Sequence, residues 1–144
     1  MIDDMMIDDT ITGFAEADVA SYGAKLVKNA RDLLVYKRAY RASLEIHKIS
    51  LVFPKIEQFA LADQLRRSTK SICANIAEGF IKQKYSSAEF GRFLAISEAS
   101  AEESRVWLEY AKDLEYIDAV RFDRWDNEYL AIISMLNNLR ARRQ

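Results

Sequence analysis

The spacing of apolar residues is the strongest constraint on the fold of this 144-residue chain. From Asp32 onward they recur at alternating steps of three and four, the period of one face of an α-helix. No segment alternates apolar and polar residues between turn dipeptides, as a half-buried β-strand does. The pattern therefore predicts an all-α fold.

Capping residues and the single proline indicate where the helices begin and end. Asp32 is a candidate N-cap for a first helix, which must end before Pro54 because proline lacks the N–H that continues the helix. We expect the second helix to end at Gly79, with this glycine in the left-handed conformation. Ser86 begins a Ser-x-x-Glu capping box for a third helix. Asp118 can cap a fourth.

The same spacing predicts which side chains face the core. They are Val35, Ala39, Ala42, Ile46, Ile49 and Phe53 in the first helix; Leu61, Leu65, Ser68, Ile72, Asn75 and Gly79 in the second; Phe90, Leu94, Ser97, Ala101, Ser104, Leu108 and Ala111 in the third; and Phe122, Trp125, Tyr129, Ile132, Leu136 and Leu139 in the fourth. The third helix carries a second apolar stripe, formed by Phe93, Ile96, Ser100, Trp107, Tyr110 and Leu114. We therefore expect it to contact two neighbouring helices or another subunit.

Four helices of about 20 residues with short connections predict an up-down-up-down antiparallel four-helix bundle. This domain is expected to occupy residues 31–144. Residues 1–30 carry six acids and two bases, and Gly13 and Gly23 interrupt any helix there. We interpret this part as an acidic N-terminal tail or docking segment.

Composition excludes several kinds of site. One cysteine cannot form an internal disulfide, and one cysteine with one histidine cannot form a usual structural zinc site. Cys73 is expected to pack as a small buried residue, and the isolated glycines form no phosphate-binding loop. We therefore expect no enzymatic activity, no metal, no cofactor and no small-molecule substrate.

The chain also lacks the sequence signals of a membrane or secreted protein. No apolar stretch approaches the roughly 18 residues typical of a membrane span. The beginning of the sequence is acidic, whereas a secretory signal has basic residues followed by an apolar block. We therefore expect no membrane association and a cytoplasmic location.

Basic residues cluster in the first two predicted helices. Residues 31–92 carry twelve bases and six acids, whereas residues 93–144 carry seven bases and ten acids. Cations grouped in this way can neutralise the phosphates of a nucleic acid. A solvated face balanced by the acids of the third and fourth helices explains the same pattern. The candidate nucleic-acid-binding residues are Lys37, Arg38, Arg41, Arg66, Arg67 and Lys70.

Two polar residues lie at or near the inward line of the second helix. Asn75 and Glu78 would be costly to bury without partners, so we expect each to bind a neighbouring backbone group or an arginine. This interpretation makes them structural and not reactive groups.

Several short motifs resemble a known family. They are Gln64-Leu65-Arg66-Arg67, Ser71-Ile72, Asn75-Ile76-Ala77-Glu78-Gly79-Phe80, Glu89-Phe90 and Arg92-Phe93-Leu94. The chain from about Asp32 resembles the four-helix bundle proteins encoded in intervening sequences of bacterial large-subunit (23S) ribosomal RNA genes. Arg66 and Arg67 match the arginine pair of that family. Asn75, Glu78 and Gly79 match its central motif, whereas Glu115 replaces a glycine that is usual before Tyr116.

The resemblance implies a homopentamer of up-down four-helix bundles. This architecture is similar to that of the accessory protein that works with the reverse transcriptase of diversity-generating retroelements. The resemblance also implies a non-enzymatic assembly that associates with RNA.

Two functions remain open at this stage. In the first, the protein is an adaptor that binds RNA or a nucleic-acid-protein complex, with an affinity that falls steeply with salt. Charge reversal at Arg66 and Arg67 is then expected to weaken binding without unfolding the protein. In the second, the protein is a protein-protein interaction scaffold with no direct nucleic-acid binding. An autoinhibitory variant joins the two: the acidic tail covers the basic face, so that deletion of residues 1–30 raises RNA affinity.

Overall fold

The computed structural model describes residues 27–142, which contain four α-helices and no β-strand. The helices are α1 (Leu34–Ser50), α2 (Leu61–Lys82), α3 (Ser87–Asp113) and α4 (Ala119–Ala141). Short 3-10 turns at Ala30–Asp32 and Lys55–Glu57 precede α1 and α2. The predicted all-α class is confirmed. Most of the predicted acidic segment, residues 1–30, lies outside the described residues.

The predicted N-caps of α3 and α4 are confirmed. The Ser86 hydroxyl accepts a hydrogen bond from the Glu89 backbone N–H at 3.2 Å. The Asp118 carboxylate accepts one from the Arg121 N–H at 2.7 Å. Each side chain satisfies a backbone donor that has no partner within its own helix.

The prediction that Asp32 is the N-cap of α1 is wrong, because Asp32 lies in the 3-10 turn that precedes α1. Asp32 accepts hydrogen bonds from the backbone N–H groups of Lys28 and Asn29, at 2.9 and 3.0 Å, and these bonds lower the pKa of its carboxyl. It therefore forms a capping box with Asn29 around the 3-10 turn. α1 begins after this turn, with Leu33 at its N-cap position.

The predicted end of α2 is also wrong. The helix continues through Gly79 to Lys82, so Gly79 is an interior helical residue. The left-handed residue of the described chain is Glu115, which has a φ of 66°. Its N–H donates to the Lys112 carbonyl at 2.9 Å, and the Tyr116 N–H donates to the Ala111 carbonyl at 2.8 Å. This Schellman motif ends α3.

The predicted core faces of the four helices are confirmed. All of the inward residues predicted for the first and third helices are buried, although Phe53 lies beyond the end of α1. In α2 and α4, the predicted residues are buried except Leu61, Asn75, Phe122 and Leu139, which are half-buried. A second buried line on α2 comprises Ala62, Thr69, Cys73, Ile76 and Phe80, of which only Cys73 was predicted to be buried. α2 has two buried lines because it packs against both α1 and α3.

Small residues bring α2 and α3 close together. The Ser97 hydroxyl donates to the Ile72 carbonyl at 3.0 Å, and the Ser104 hydroxyl donates to the Ser68 hydroxyl at 2.9 Å. Later residues of α3 therefore pair with earlier residues of α2. α3 also packs against α4, and α4 packs against α1. None of the helices in residues 27–142 is both long enough and apolar enough to cross a membrane.

Candidate nucleic-acid interface

The basic residues predicted to bind nucleic acid lie on two helices that pack against each other, α1 and α2. Their side chains differ in exposure. Lys37, Arg67 and Lys70 are exposed, whereas Arg38, Arg41 and Arg66 are half-buried. The structure therefore divides the six residues into an exposed group and a half-buried group.

Arg38 turns toward α4. Its Nε lies 3.3 Å from one carboxylate oxygen of Glu128, and its Nη2 bonds to the other oxygen. The side chains of Arg38 and Glu128 are only 16% and 6% exposed. This pairing directs the Arg38 guanidinium toward the inside of the protein and away from the outer face of α1.

Arg66 holds the connection between α1 and α2. Its Nη1 donates to the Ser50 hydroxyl at 2.9 Å, and its Nη2 donates to the Gln58 backbone carbonyl at 2.7 Å. The Gln58 amide in turn donates to the carbonyls of Ser50 and Phe53, at 2.9 and 3.0 Å. Arg66 is thus a structural clamp, and its charge reversal is a poor test of RNA binding.

Arg67 is the next residue along α2 but has a different environment. Its side chain is 75% exposed, and its ion pair with Asp63 is long, at 3.7 Å. An exposed pair of this kind contributes little to stability and leaves the cation accessible to a partner.

Lys70 of α2 lies against His47 of α1. Its Nζ is 2.9 Å from His47 Nδ1, so the imidazole accepts this hydrogen bond in its neutral form. Desolvation, with the positive charges of Lys70 and Arg66, lowers the pKa of His47. His47 is the single histidine that was judged insufficient for a zinc site. Its proximity to Lys70 was not predicted, because it depends on how α1 and α2 are aligned.

Two of the three residues singled out in the central Asn-Ile-Ala-Glu-Gly motif, Asn75 and Gly79, make contacts inside the protein. The Asn75 amide donates to the Ser71 carbonyl at 2.8 Å, which confirms the expected bond to a neighbouring backbone group. Gly79 packs directly on Phe93 of α3. The expectation for Glu78 is wrong: its side chain is exposed.

A buried polar cluster between α1 and α4 was not predicted. Glu45 is 1% exposed, and its carboxylate accepts a hydrogen bond from Trp125 Nε1 at 2.9 Å. An Arg124 nitrogen lies 3.5 Å from the same oxygen. Burial is the main reason that the pKa of Glu45 is raised, and it also raises that of Tyr129. A charged residue beside the apolar stripe of α1 was the available sequence signal.

Cys73 is the single cysteine of the chain and thus its one candidate thiol nucleophile. Cys73 is buried as predicted, and burial raises the pKa of its thiol to about 12. A thiol with such a pKa is a poor nucleophile near neutral pH. Within residues 27–142, no three or more His, Cys, Asp or Glu side chains are grouped to hold a metal ion.

The fold and this surface define a four-helix protein with exposed cations on its first two helices. The 23S rRNA-intervening sequence protein family matches residues 31–138, and the chain belongs to this family. A crystal structure of a protein with unknown function from the S23 ribosomal protein family of Bacteroides thetaiotaomicron is similar, with a TM-score of 0.67 and 27% identity. The similarity covers 75% of this chain and 96% of that protein. No curated protein matches the chain.

Proposed function

We propose that this protein is a cytoplasmic, non-enzymatic adaptor that binds RNA or a nucleoprotein complex through α1 and α2. The observation that carries the proposal is the exposure of Lys37, Lys48, Arg67 and Lys70 on two helices in contact. Cations spaced along such a surface can contact successive phosphates and release their counterions. The name of the matched family, which refers to 23S rRNA intervening sequences, agrees with an RNA partner.

We further propose an up-down-up-down antiparallel bundle that assembles into a homopentameric ring. The antiparallel arrangement is supported by the opposite numbering of paired residues on α2 and α3, as in Ser97 with Ile72 and Ser104 with Ser68. The ring is supported by the exposed apolar residues Tyr110 and Leu114 on the second stripe of α3. Association would bury them and would combine the net charge of +3 that residues 31–144 of each subunit carry.

RNA binding can be tested by fluorescence anisotropy of a labelled structured RNA at several salt concentrations. The logarithm of the wild-type affinity should fall linearly with the logarithm of salt concentration. The double variant Arg67→Glu/Lys70→Glu should weaken binding at least tenfold and reduce the slope by roughly 1.4 to 1.8, because each phosphate contact contributes roughly 0.7 to 0.9.

The matched control is Lys55→Glu/Arg142→Glu, which makes the same charge change at exposed positions outside the proposed surface. An equal loss in both double variants would show that only net charge matters. Unchanged affinity in Arg67→Glu/Lys70→Glu would remove this surface from the proposal. Light scattering on the same samples tests the ring, since five 16.6 kDa subunits have a mass of about 83 kDa.

A protein-protein interaction scaffold is the second candidate. It is favoured by apolar side chains on the α1–α2 connection, where Ile56 and Phe59 are almost completely exposed, with Leu51 and Val52 nearby. Contiguous exposed apolar groups commonly mark protein interfaces. In this case the assembled protein should not bind RNA even at low salt.

A further inference from the structure

One end of the four-helix core has an excess of positive charge. It comprises the start of α1, the α2–α3 connection and the end of α4, which we define as the basic end: residues 27–36, 78–92 and 138–142. These segments carry seven bases and three acids. Contacts join them: a Cβ at Gly91 would lie 3.7 Å from Arg140 Cγ, and the turn at Ala30–Asp32 contacts α2.

The opposite end has the opposite charge. It contains the α1–α2 and α3–α4 connections, which meet where the Tyr116 hydroxyl donates to the Glu57 carboxylate at 2.9 Å. Residues 48–63 and 109–123 together carry four bases and seven acids. The core is therefore polarised along its length, and an acidic ligand is attracted to one end and repelled from the other.

The basic end also exposes apolar surface next to its cations. Ile81 is 57% exposed and Tyr85 is 85% exposed, and they lie on either side of Lys82 and Lys84 in the chain. A ligand that fits this surface has both carboxylates and apolar side chains.

The N-terminal part of this same chain has that composition. Residues 1–26 carry six acids and one base. Apolar residues alternate with pairs of aspartates in the stretch Met1-Ile2-Asp3-Asp4-Met5-Met6-Ile7-Asp8-Asp9.

The segment joins the described structure at the basic end. Val27 packs partly against the core, and the following turn at Ala30–Asp32 contacts α2. At roughly 5–6 Å × √n, 26 residues correspond to an end-to-end distance of about 28 Å, so the segment is long enough to reach either end of the core. Charge favours the basic end, and the short tether gives the segment a high effective concentration there.

We propose that residues 1–26 dock on the basic end of their own chain, with aspartates beside Lys82 and Lys84 and apolar side chains on Ile81 and Tyr85. This location differs from the α1–α2 face expected from the sequence. The inference does not depend on RNA binding, because it concerns an intramolecular contact at another surface.

Carbodiimide cross-linking of the full-length protein tests the proposal, because the reagent joins carboxylates to lysines only where the two are in contact. An equal mixture of isotopically labelled and unlabelled chains separates intrachain from interchain products by mass. Intrachain links from residues 1–18 to Lys82 or Lys84 should exceed links to Lys55, at the opposite end, at least fivefold. Acetylation under the same conditions corrects for the intrinsic reactivity of each lysine.

Two exposed aromatic residues provide matched variants. Tyr85→Ser keeps Lys82 and Lys84 and should reduce these links severalfold, whereas Phe59→Ser at the opposite end should not change them. Circular dichroism confirms that both variants remain helical. Equal links to Lys84 and Lys55, links only between chains, or no effect of Tyr85→Ser would each overturn the proposal.

Discussion

Gly79 of α2 lies so close to Phe93 of α3 that a Cβ at position 79 would be 2.6 Å from the Phe93 Cβ. The carbonyl oxygen of Phe90 would be only 3.4 Å from the same added atom. Since Gly79 is helical and its φ is not positive, its role is to allow close packing and not a special backbone conformation. The two helices would have to move apart to accept any larger residue.

Gly79→Ala is therefore expected to destabilise the protein. Overpacking costs about 1–3 kcal/mol, which exceeds the gain of up to about 1 kcal/mol in helix propensity. Gly91→Ala is the matched control, because its added Cβ would lie 3.7 Å from Arg140 Cγ, an ordinary contact. That variant should be stabilised by about 0.5–1 kcal/mol. Urea denaturation measures both changes, and a destabilised Gly91→Ala or a stabilised Gly79→Ala would contradict this account.

The sequence correctly predicted four helices and their core faces, but it assigned the left-handed position to the wrong residue. A glycine near the end of an apolar period, as at Gly79, is typical both of a helix end and of a close helix contact. One sequence pattern does not distinguish them, because the second depends on which residue of α3 lies opposite. Conversely, Glu115 has a side chain that disfavours a positive φ, so local propensity gave no sign of its conformation.

Replacing Glu115 with glycine should stabilise the protein. The left-handed conformation costs a residue with a Cβ about 1–2 kcal/mol of conformational free energy. Glu115 adopts this conformation at the end of α3, with a φ of 66°. Allowing for the greater freedom of glycine in the unfolded chain, we expect a gain of about 1 kcal/mol for Glu115→Gly. Glu115→Ala controls for the lost charge, since it retains the Cβ and should change the free energy of unfolding by less than about 0.5 kcal/mol. Equal gains in the two variants would attribute the effect to charge.

The adjacent residues Arg66 and Arg67 should respond very differently to the same substitution. Arg66→Ala removes hydrogen bonds to Ser50 and Gln58 that hold the α1–α2 connection, and we expect a loss of about 2 kcal/mol. Arg67→Ala removes an exposed cation and should cost less than about 0.5 kcal/mol. Thermal and urea unfolding of the two variants provide the comparison. Similar losses in both would contradict the assigned clamp.

The candidate interface could be predicted only in part, because the accessibility of each cation depends on which helices pack together. The sequence identified the basic character of the first two helices, but it could not separate accessible cations from those with partners. The partner of Arg38 is Glu128, 90 residues further along the chain. That pairing depends on the packing of α1 against α4, which spacing within one helix does not specify.

The buried carboxyl of Glu45 should make stability depend on pH in a defined direction. Burial raises its pKa above the ordinary value of 4.5, although the hydrogen bond from Trp125 and the charges of Arg124 and Arg41 oppose this shift. The nearby Glu128 carboxylate acts in the same direction as burial. The folded state therefore binds this proton more tightly than the unfolded state does.

The direction in which stability changes with pH follows from that difference in proton affinity. The stabilisation associated with the raised pKa is complete below the unfolded-state value and is lost as pH rises through the folded-state value. Glu45→Gln keeps an oxygen that can accept from Trp125 Nε1 but removes the titration. Its free energy of unfolding, relative to that of wild type, should therefore increase as pH rises from about 4 to about 7.

Urea denaturation followed by tryptophan fluorescence measures this difference at each pH. Glu103→Gln is the matched control, because Glu103 also accepts a hydrogen bond from a tryptophan, Trp107 Nε1 at 2.9 Å, but is exposed. The change with pH should be larger for Glu45→Gln, since only that carboxyl loses its hydration in the folded state. If Glu45→Gln instead became less stable relative to wild type as pH rose, hydrogen bonding and the neighbouring arginines would outweigh burial at this site.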